Sequence, residues 1–254
     1  MKKVLVVLAV IIFVFGVNSQ VGAAPIKWSQ PPDWDYGYDI LSNVKADGSA
    51  EVVADDWLCE NGLPITDIHW WGSYQGDTDP NVPIGAPSPA MDFWIGVWSD
   101  VPADQSATGY SHPGILLGAG EVFDLVGYKN GYQQYTQHNG YKYEIDISDD
   151  PILQDAGTIY WLSIVATGSV GEDYWSERWG WKTSYTHNID CAVKGLVADE
   201  PLVGIPWLET VVYMEPLGVD MAFELTTIPE LGTMILLGSL ATGLFGFAGL
   251  RRKK

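Results

Sequence analysis

The feature of this chain best suited to carry a ligand is aromatic. Twelve tryptophans lie between Trp28 and Trp207, with clusters at Trp70/Trp71, Trp94/Trp98 and Trp175/Trp179/Trp181. Aromatic faces stack on the apolar faces of sugar rings, and carboxylates accept hydrogen bonds from sugar hydroxyls. The segment Asp173-Tyr174-Trp175-Ser176-Glu177-Arg178-Trp179-Gly180-Trp181 brings aromatic, acidic and cationic groups together. Trp175, Trp179 and Trp181 are therefore the expected stacking residues for an extracellular polysaccharide. The competing use is core packing, since Trp suits strands and buries a large area.

Oxygen ligands come next. Asp77-Thr78-Asp79-Pro80-Asn81 sets Asp77, Asp79 and Asn81 at alternate positions. A hard cation such as calcium takes oxygens at such spacing. The run lacks the Gly at position six and the Glu at position twelve of an EF-hand, and Asp and Asn also build turns. Asp55-Asp56 and Asp149-Asp150 are weaker candidates of the same kind. Apart from that structural calcium, no cofactor is expected.

Cys59 and Cys191 are the only cysteines. In an oxidising compartment two thiols of one domain often pair, and the alternative is two small buried hydrophobes. His69, His112, His138 and His187 show no metal-ligand spacing, and His69 beside Trp70 and Trp71 reads as a core or rim histidine. Gly-x-Ser-x-Gly, His-Glu-x-x-His and a Walker loop are absent. Acidic pairs such as Glu172/Asp173 with Glu177 could serve a glycoside hydrolase, but a chain this acidic offers such pairs by chance. No catalytic residue is assigned, and a non-enzymatic protein is expected.

The elements that must position these residues read as strands. Tyr141 to Ile147 alternates Tyr141, Tyr143, Ile145, Ile147 against Lys142, Glu144, Asp146, the pattern of a half-buried strand. Ile65 to Tyr74 and Phe93 to Trp98 also alternate. Thr158 to Ala166 (TIYWLSIVA) is nearly all apolar and suits a strand buried on both faces. Val211 to Met214 and Met221 to Thr226 read as closing strands. Asp77 to Pro89 carries four prolines, which exclude helix interiors and central strands. Amphipathic helices of ten or more residues are missing. The expected fold is all-β: one antiparallel β-sandwich of jelly-roll type over residues 24–227, without internal repeat or linker.

Both ends read as signals. Lys2 and Lys3 precede the apolar run Val4 to Val17, and small residues follow at Val21-Gly22-Ala23-Ala24. This predicts a secretory signal peptide over 1–23. Leu231 to Leu250 is twenty uncharged residues, long enough at ~1.5 Å per residue to cross a ~30 Å hydrocarbon core. Arg251, Arg252, Lys253 and Lys254 follow and would hold the tail on the cytoplasmic side, with the preceding domain outside. These ends hold six of the 13 basic residues, which leaves 7 against 32 acidic in 24–230, a formal balance of −25. Such a domain repels anionic polymers, and a nucleic-acid partner is excluded.

Ile228-Pro229-Glu230, an apolar span and a basic terminus together resemble the PEP-CTERM sorting signal of bacterial surface proteins, over 228–254. Leu231 stands where the second Pro of Pro-Glu-Pro would be. The resemblance implies an exosortase-type sorting enzyme as partner and a place in the cell envelope, at the surface or in the extracellular matrix. The segments Lys27-Trp28-Ser29-Gln30-Pro31-Pro32, Val53-Ala54-Asp55-Asp56-Trp57 and Ile68-His69-Trp70-Trp71-Gly72-Ser73-Tyr74 are similar to an uncharacterised domain family of secreted and PEP-CTERM proteins. That resemblance spans most of 25–226 and implies a β-sandwich with no assigned activity.

Overall fold

The structure, a computed structural model, describes residues 25–45, 48–167, 178–197, 207–209 and 218–227. The expected leader, the sorting motif Ile228-Pro229-Glu230, the span 231–250, the basic cluster Arg251 to Lys254, Trp175 and the expected strand Val211–Met214 lie outside the described residues.

The described residues form thirteen strands and no helix. They are β1 (Ile26–Gln30), β2 (Asp39–Leu41), β3 (Asn43–Val44), β4 (Ala50–Cys59), β5 (Asp67–Tyr74), β6 (Pro87–Val101), β7 (His112–Gln133), β8 (His138–Asp146), β9 (Thr158–Ala166), β10 (Trp179–Lys182), β11 (Val193–Val197), β12 (Trp207–Glu209) and β13 (Phe223–Thr226). Apolar runs and alternation dictate several of these directly. Thr158–Ala166 is β9 to the residue, buried from Tyr160 to Ala166, with β4 and β6 as neighbours. Tyr141 and Tyr143 of β8 point into the core, whereas Glu144 and Asp146 face solvent.

Hydrogen bonding runs through one open sheet in the order β1-β13-β5-β8-β7-β6-β9-β3-β4-β11-β12, with β10 joining β2 to β5. The sheet doubles over on itself. Strands far apart in that order meet face to face: Trp57 of β4 touches Phe223 of β13 at 6.4 Å between ring centroids, and Phe93 of β6 touches Trp179 of β10 at 5.1 Å. One buried cluster fills the space between the two halves, including Trp57, Trp70, Phe93, Tyr143, Trp179, Trp181 and Phe223. β7 spans the fold. Its first part pairs with β6 up to Tyr128, and residues Tyr128–Gln133 pair with β8.

This corrects the expected sandwich in two respects. A sandwich has two separate sheets, whereas here β7 keeps the pairing continuous. The sheet is also mixed, because Asn43 of β3 pairs in parallel with Ala166 of β9. Pro87 and Pro89 enter β6 after all. They sit where the β6–β7 register shifts, beyond the Phe93–Ser99 stretch that pairs with β9, so their missing N–H groups break no second ladder.

Candidate functional site

The end of the fold around β2, β10, β5 and β8 builds a pocket of about 300 Å³. Asp39 comes from β2, Ser73 from the end of β5, His138 from the start of β8 and Gly180 from β10, with Tyr38, Gln75, Thr136 and Arg178 from the adjoining turns. Pairing of Lys182 with Asp39 and of Gly180 with Ser73 fixes this arrangement.

Behind the wall lies a buried cation. Lys182 is fully buried, its Nζ 2.7 Å from Asp39 Oδ1 and 5.6 Å from the centroid of Trp34. Burial pushes the Lys182 ammonium below its usual pKa, and Asp39 opposes that shift by favouring the charged form. Trp34 lies flat on β7 and β8, and leaves no room for a Cβ at Gly131 or Gly140. Only glycine permits that approach.

Polar residues make up most of the pocket's lining, with Tyr38 among them, although hydrocarbon supplies the larger part of its surface. Tyr38 meets Tyr135 edge to face at 5.4 Å. Buried polar atoms of two wall residues, Thr136 Oγ1 and His138 Nδ1, have no hydrogen-bond partner among the described residues, and neither does Asp39 Oδ2. Atoms of this kind occur elsewhere in the interior too, for example Trp57 Nε1 and Trp70 Nε1, so they do not by themselves mark a ligand site. A second hollow of about 400 Å³ is lined by Ile68, Ile95, Val97, Ile145, Ile147 and Ile152 among others, with Glu121, Asp146, Asp149 and Asp150 as its acids. It offers mostly hydrocarbon.

The residues singled out from sequence fall in different places. Trp179 and Trp181 are fully buried and cannot stack on a ligand. β10 lies between β2 and β5 with the opposite half of the sheet above it. The Trp179 ring covers Gly72, and Trp181 Nε1 donates to the Ala222 carbonyl at 2.8 Å. Of the same segment, Arg178 and Gly180 do reach the polar pocket. Among the ten tryptophans with described side chains, seven are buried and Trp28, Trp34 and Trp94 are half-buried. Packing, the competing use, takes most of them.

Asp77, Asp79 and Asn81 lie in the loop between β5 and β6. Asp77 accepts from Asn139 Nδ2 at 2.7 Å and from the Tyr141 hydroxyl. Asp79 Oδ1 accepts from the Asn81 backbone and side-chain N–H groups at 2.9 and 3.0 Å. The Asp79 bonds make the turn and the Asp77 bonds tie it to β8, and no group of three or more metal-ligating side chains occurs among the described residues. Burial and Asp77 together push the Tyr141 hydroxyl well above its usual pKa.

Cys59 and Cys191 do not form a disulfide. Val193 pairs with Ala54, and the Asp190 N–H approaches Asp56 Oδ1 at 3.4 Å, which sets Cys191 level with Asp56. Cys59 is three residues further along β4, about 10 Å at ~3.3 Å per residue, past the ~7 Å Cα limit for a bridge. His69 sits on the sheet surface between Asp67 Oδ2 at 2.9 Å and Glu224 Oε1 at 3.1 Å.

A buried acid cluster stands beside Cys191. Asp55, Asp56 and Asp220 are each at most 1% exposed. Asp55 accepts the Met221 N–H at 2.6 Å and the Asp56 N–H at 3.0 Å. Asp220 accepts from Asn188 N at 2.6 Å and Gln30 Nε2 at 3.3 Å, and pairs with His187 Nδ1 at 2.9 Å. Burial, with Asp220 and Asp56 nearby, pushes Asp55 far above the usual carboxylate range. Burial, then Asp190, pushes Asp56 up to about 8. Asp220 is raised by burial, against which its N–H donors and His187 favour its charge. All three carboxyls are thus pushed towards their protonated forms, Asp55 the furthest and Asp220 against the most opposition from its donors.

The geometry defines an all-β domain with one open, mixed sheet and a polar pocket at one end. The family model of a domain of unknown function, DUF7901, matches residues 26–226, and the chain belongs to that family. This meets the expectation of an uncharacterised family over most of 25–226. No curated protein matches. Among solved structures, the cysteine protease and lectin-like domains of Cwp84, a surface layer associated protein of Clostridium difficile, are similar at 7% identity and a TM-score of 0.35, covering 74% of this chain and 36% of that one. The chain spans about a third of that structure's length, and a likeness this slight carries no argument about fold or function.

Proposed function

We propose that this is an exported, non-enzymatic surface protein whose polar pocket holds part of an extracellular polysaccharide. One observation carries the ligand reading: Ser73, Gln75, Thr136 and His138 line one pocket together with Tyr38, whose ring meets Tyr135 edge to face. A sugar supplies both donors and acceptors to such groups and an apolar ring face to a tyrosine. The acidic balance favours neutral or cationic glycans over anionic ones.

Export, sorting by an exosortase-type enzyme and anchoring through 231–250 belong to the same reading, on the strength of the sequence alone. Deleting 228–254 is expected to release the protein from the envelope, and unchanged anchoring would refute that part. The pocket is tested by a glycan array with the exported protein, followed by titration of the best ligand. His138→Ala and Thr136→Val should each weaken binding about tenfold, the cost of one or two hydrogen bonds in a desolvated site. An array without any hit, or variants that bind as tightly as the parent, would refute it.

A further inference from the structure

His187 connects the acid cluster to Cys191. Its Nδ1 faces Asp220 Oδ1 at 2.9 Å, and its Nε2 faces Cys191 Sγ at 3.8 Å. Asp220 is fixed by two further donors, Asn188 N and Gln30 Nε2. With Asp220 as the acceptor here, as it is towards Asn188 and Gln30, Nδ1 carries the imidazole proton and Nε2 presents a lone pair to the thiol. Cys191 is half-buried, while the His187 side chain is 52% exposed, so solvent and solutes reach the pair. Gly218, at φ +75°, lies directly against the Cys191 side chain, and any Cβ there would collide with it. Nucleophile, base and orienting carboxylate thus stand in the order that activated thiols use, with the thiol and imidazole at the long end of contact.

We propose that Cys191 is a reactive thiol, with His187 as its proton acceptor and Asp220 as the positioning residue, and that it captures small disulfide compounds by exchange. In the step, His187 Nε2 takes the thiol proton and Cys191 Sγ attacks one sulfur of R–S–S–R′. The Cys191–S–R bond forms as the S–S bond breaks, and R′–S⁻ leaves and regains the proton from His187. Thiol and disulfide give mixed disulfide and thiol, with no net oxidation. Cys59 cannot resolve the product: it is buried, with Lys27 Nζ at 3.7 Å and about 10 Å of strand between it and Cys191. The adduct therefore persists, one per chain. This is capture without turnover, in keeping with a non-enzymatic surface protein, and it uses a site separate from the pocket.

The test uses the full chain and oxidised glutathione. Intact-mass and peptide analysis should show a single glutathionyl group on Cys191. The folded protein should react at least about tenfold faster than the same chain in denaturant, an acceleration typical of a positioned base. His187→Ala should lose that advantage, and added imidazole should restore part of it, which a purely structural histidine would not allow. Asp220→Asn should move the pH profile of the rate. The titratable side chains around Asp220 are His187, Asp55 and Asp56, with Asp190 and Asp100 beyond Asp56. Modification at Cys59, a Cys59–Cys191 disulfide in the purified protein, or equal rates in the folded and denatured parent would each overturn the proposal. The last comparison needs no variant, so a misfolded mutant cannot decide it.

Discussion

Two pairs of acids look alike in the sequence and end in opposite settings. Asp77 and Asp79 lie in a proline-rich loop and read as the better cation site. Asp55 and Asp56 lie in an apolar strand context and read as the weaker one. In the fold, Asp79 is exposed and makes a turn, and Asp77 ties that turn to Asn139 and Tyr141. Asp55 and Asp56 are buried in β4 against Asp220. Oxygen spacing did not separate the two pairs. Water did: the loop stays at the surface, whereas burial in the strand pushes the Asp55 and Asp56 carboxyls upward.

The difference has a pH signature. Asp56 titrates near pH 3.9 in an unfolded chain and at about 8 in the fold. A raised pKa means that the folded state binds the extra proton. Its contribution to stability is full below about pH 4 and is lost as the pH rises towards 8. Urea unfolding of the parent and Asp56→Asn at pH 5, 7 and 9 should therefore diverge, with the parent losing on the order of a few kcal/mol more over that window. Parallel curves would break the comparison. Next in size, Asp55→Ala leaves the Met221 N–H buried without its acceptor and should cost about 3 kcal/mol at neutral pH, read from the urea midpoint.

The loop pair should respond less. Asp77→Ala strands the Tyr141 hydroxyl and takes one of two acceptors from Asn139 Nδ2, which keeps the Asp79 carbonyl, for about 1–2 kcal/mol, with Tyr141→Phe recovering part of the loss in the double variant. Asp79→Ala removes only a local turn bond and should fall within about 0.5 kcal/mol. Its Tm is also the place to look for a cation: a Tm that rises in the parent with millimolar calcium, and not in Asp77→Ala, would return the loop to the role that its spacing first implied.

Legibility followed the environment. β9 could be read to the residue because both its faces are buried, and β8 because one face is. β7 escaped notice. Gly114, Gly118, Gly120, Gly127 and Gly131 interrupt it, and much of it, including Ile115, Leu117 and Phe123, is exposed, so no burial pattern marks the longest strand in the fold. Missing β7 also meant missing the continuity that makes one sheet of two layers. The tryptophan cluster was correctly seen as important and wrongly aimed: Trp179 and Trp181 serve the core, while Arg178 and Gly180 between and beside them reach the pocket. The other pocket residues, Tyr38, Asp39, Thr136 and His138, are brought together only by long-range pairing. Lys182 looked like any surface lysine until the fold buried it with Asp39. The His187–Cys191 spacing of four residues gave a faint cue, but its third member, Asp220, is supplied by a distant segment.

The first strand has the last one as its partner: Ile26 pairs with Thr226, and Gln30 with Phe223. A chain emerging from a ribosome or a translocation channel must make nearly the whole domain before β1 can dock. That edge then closes late, and so large a separation along the chain slows folding. For a domain expected to mature outside the cytosol, this delay is useful, because it leaves the polypeptide threadable until it has crossed.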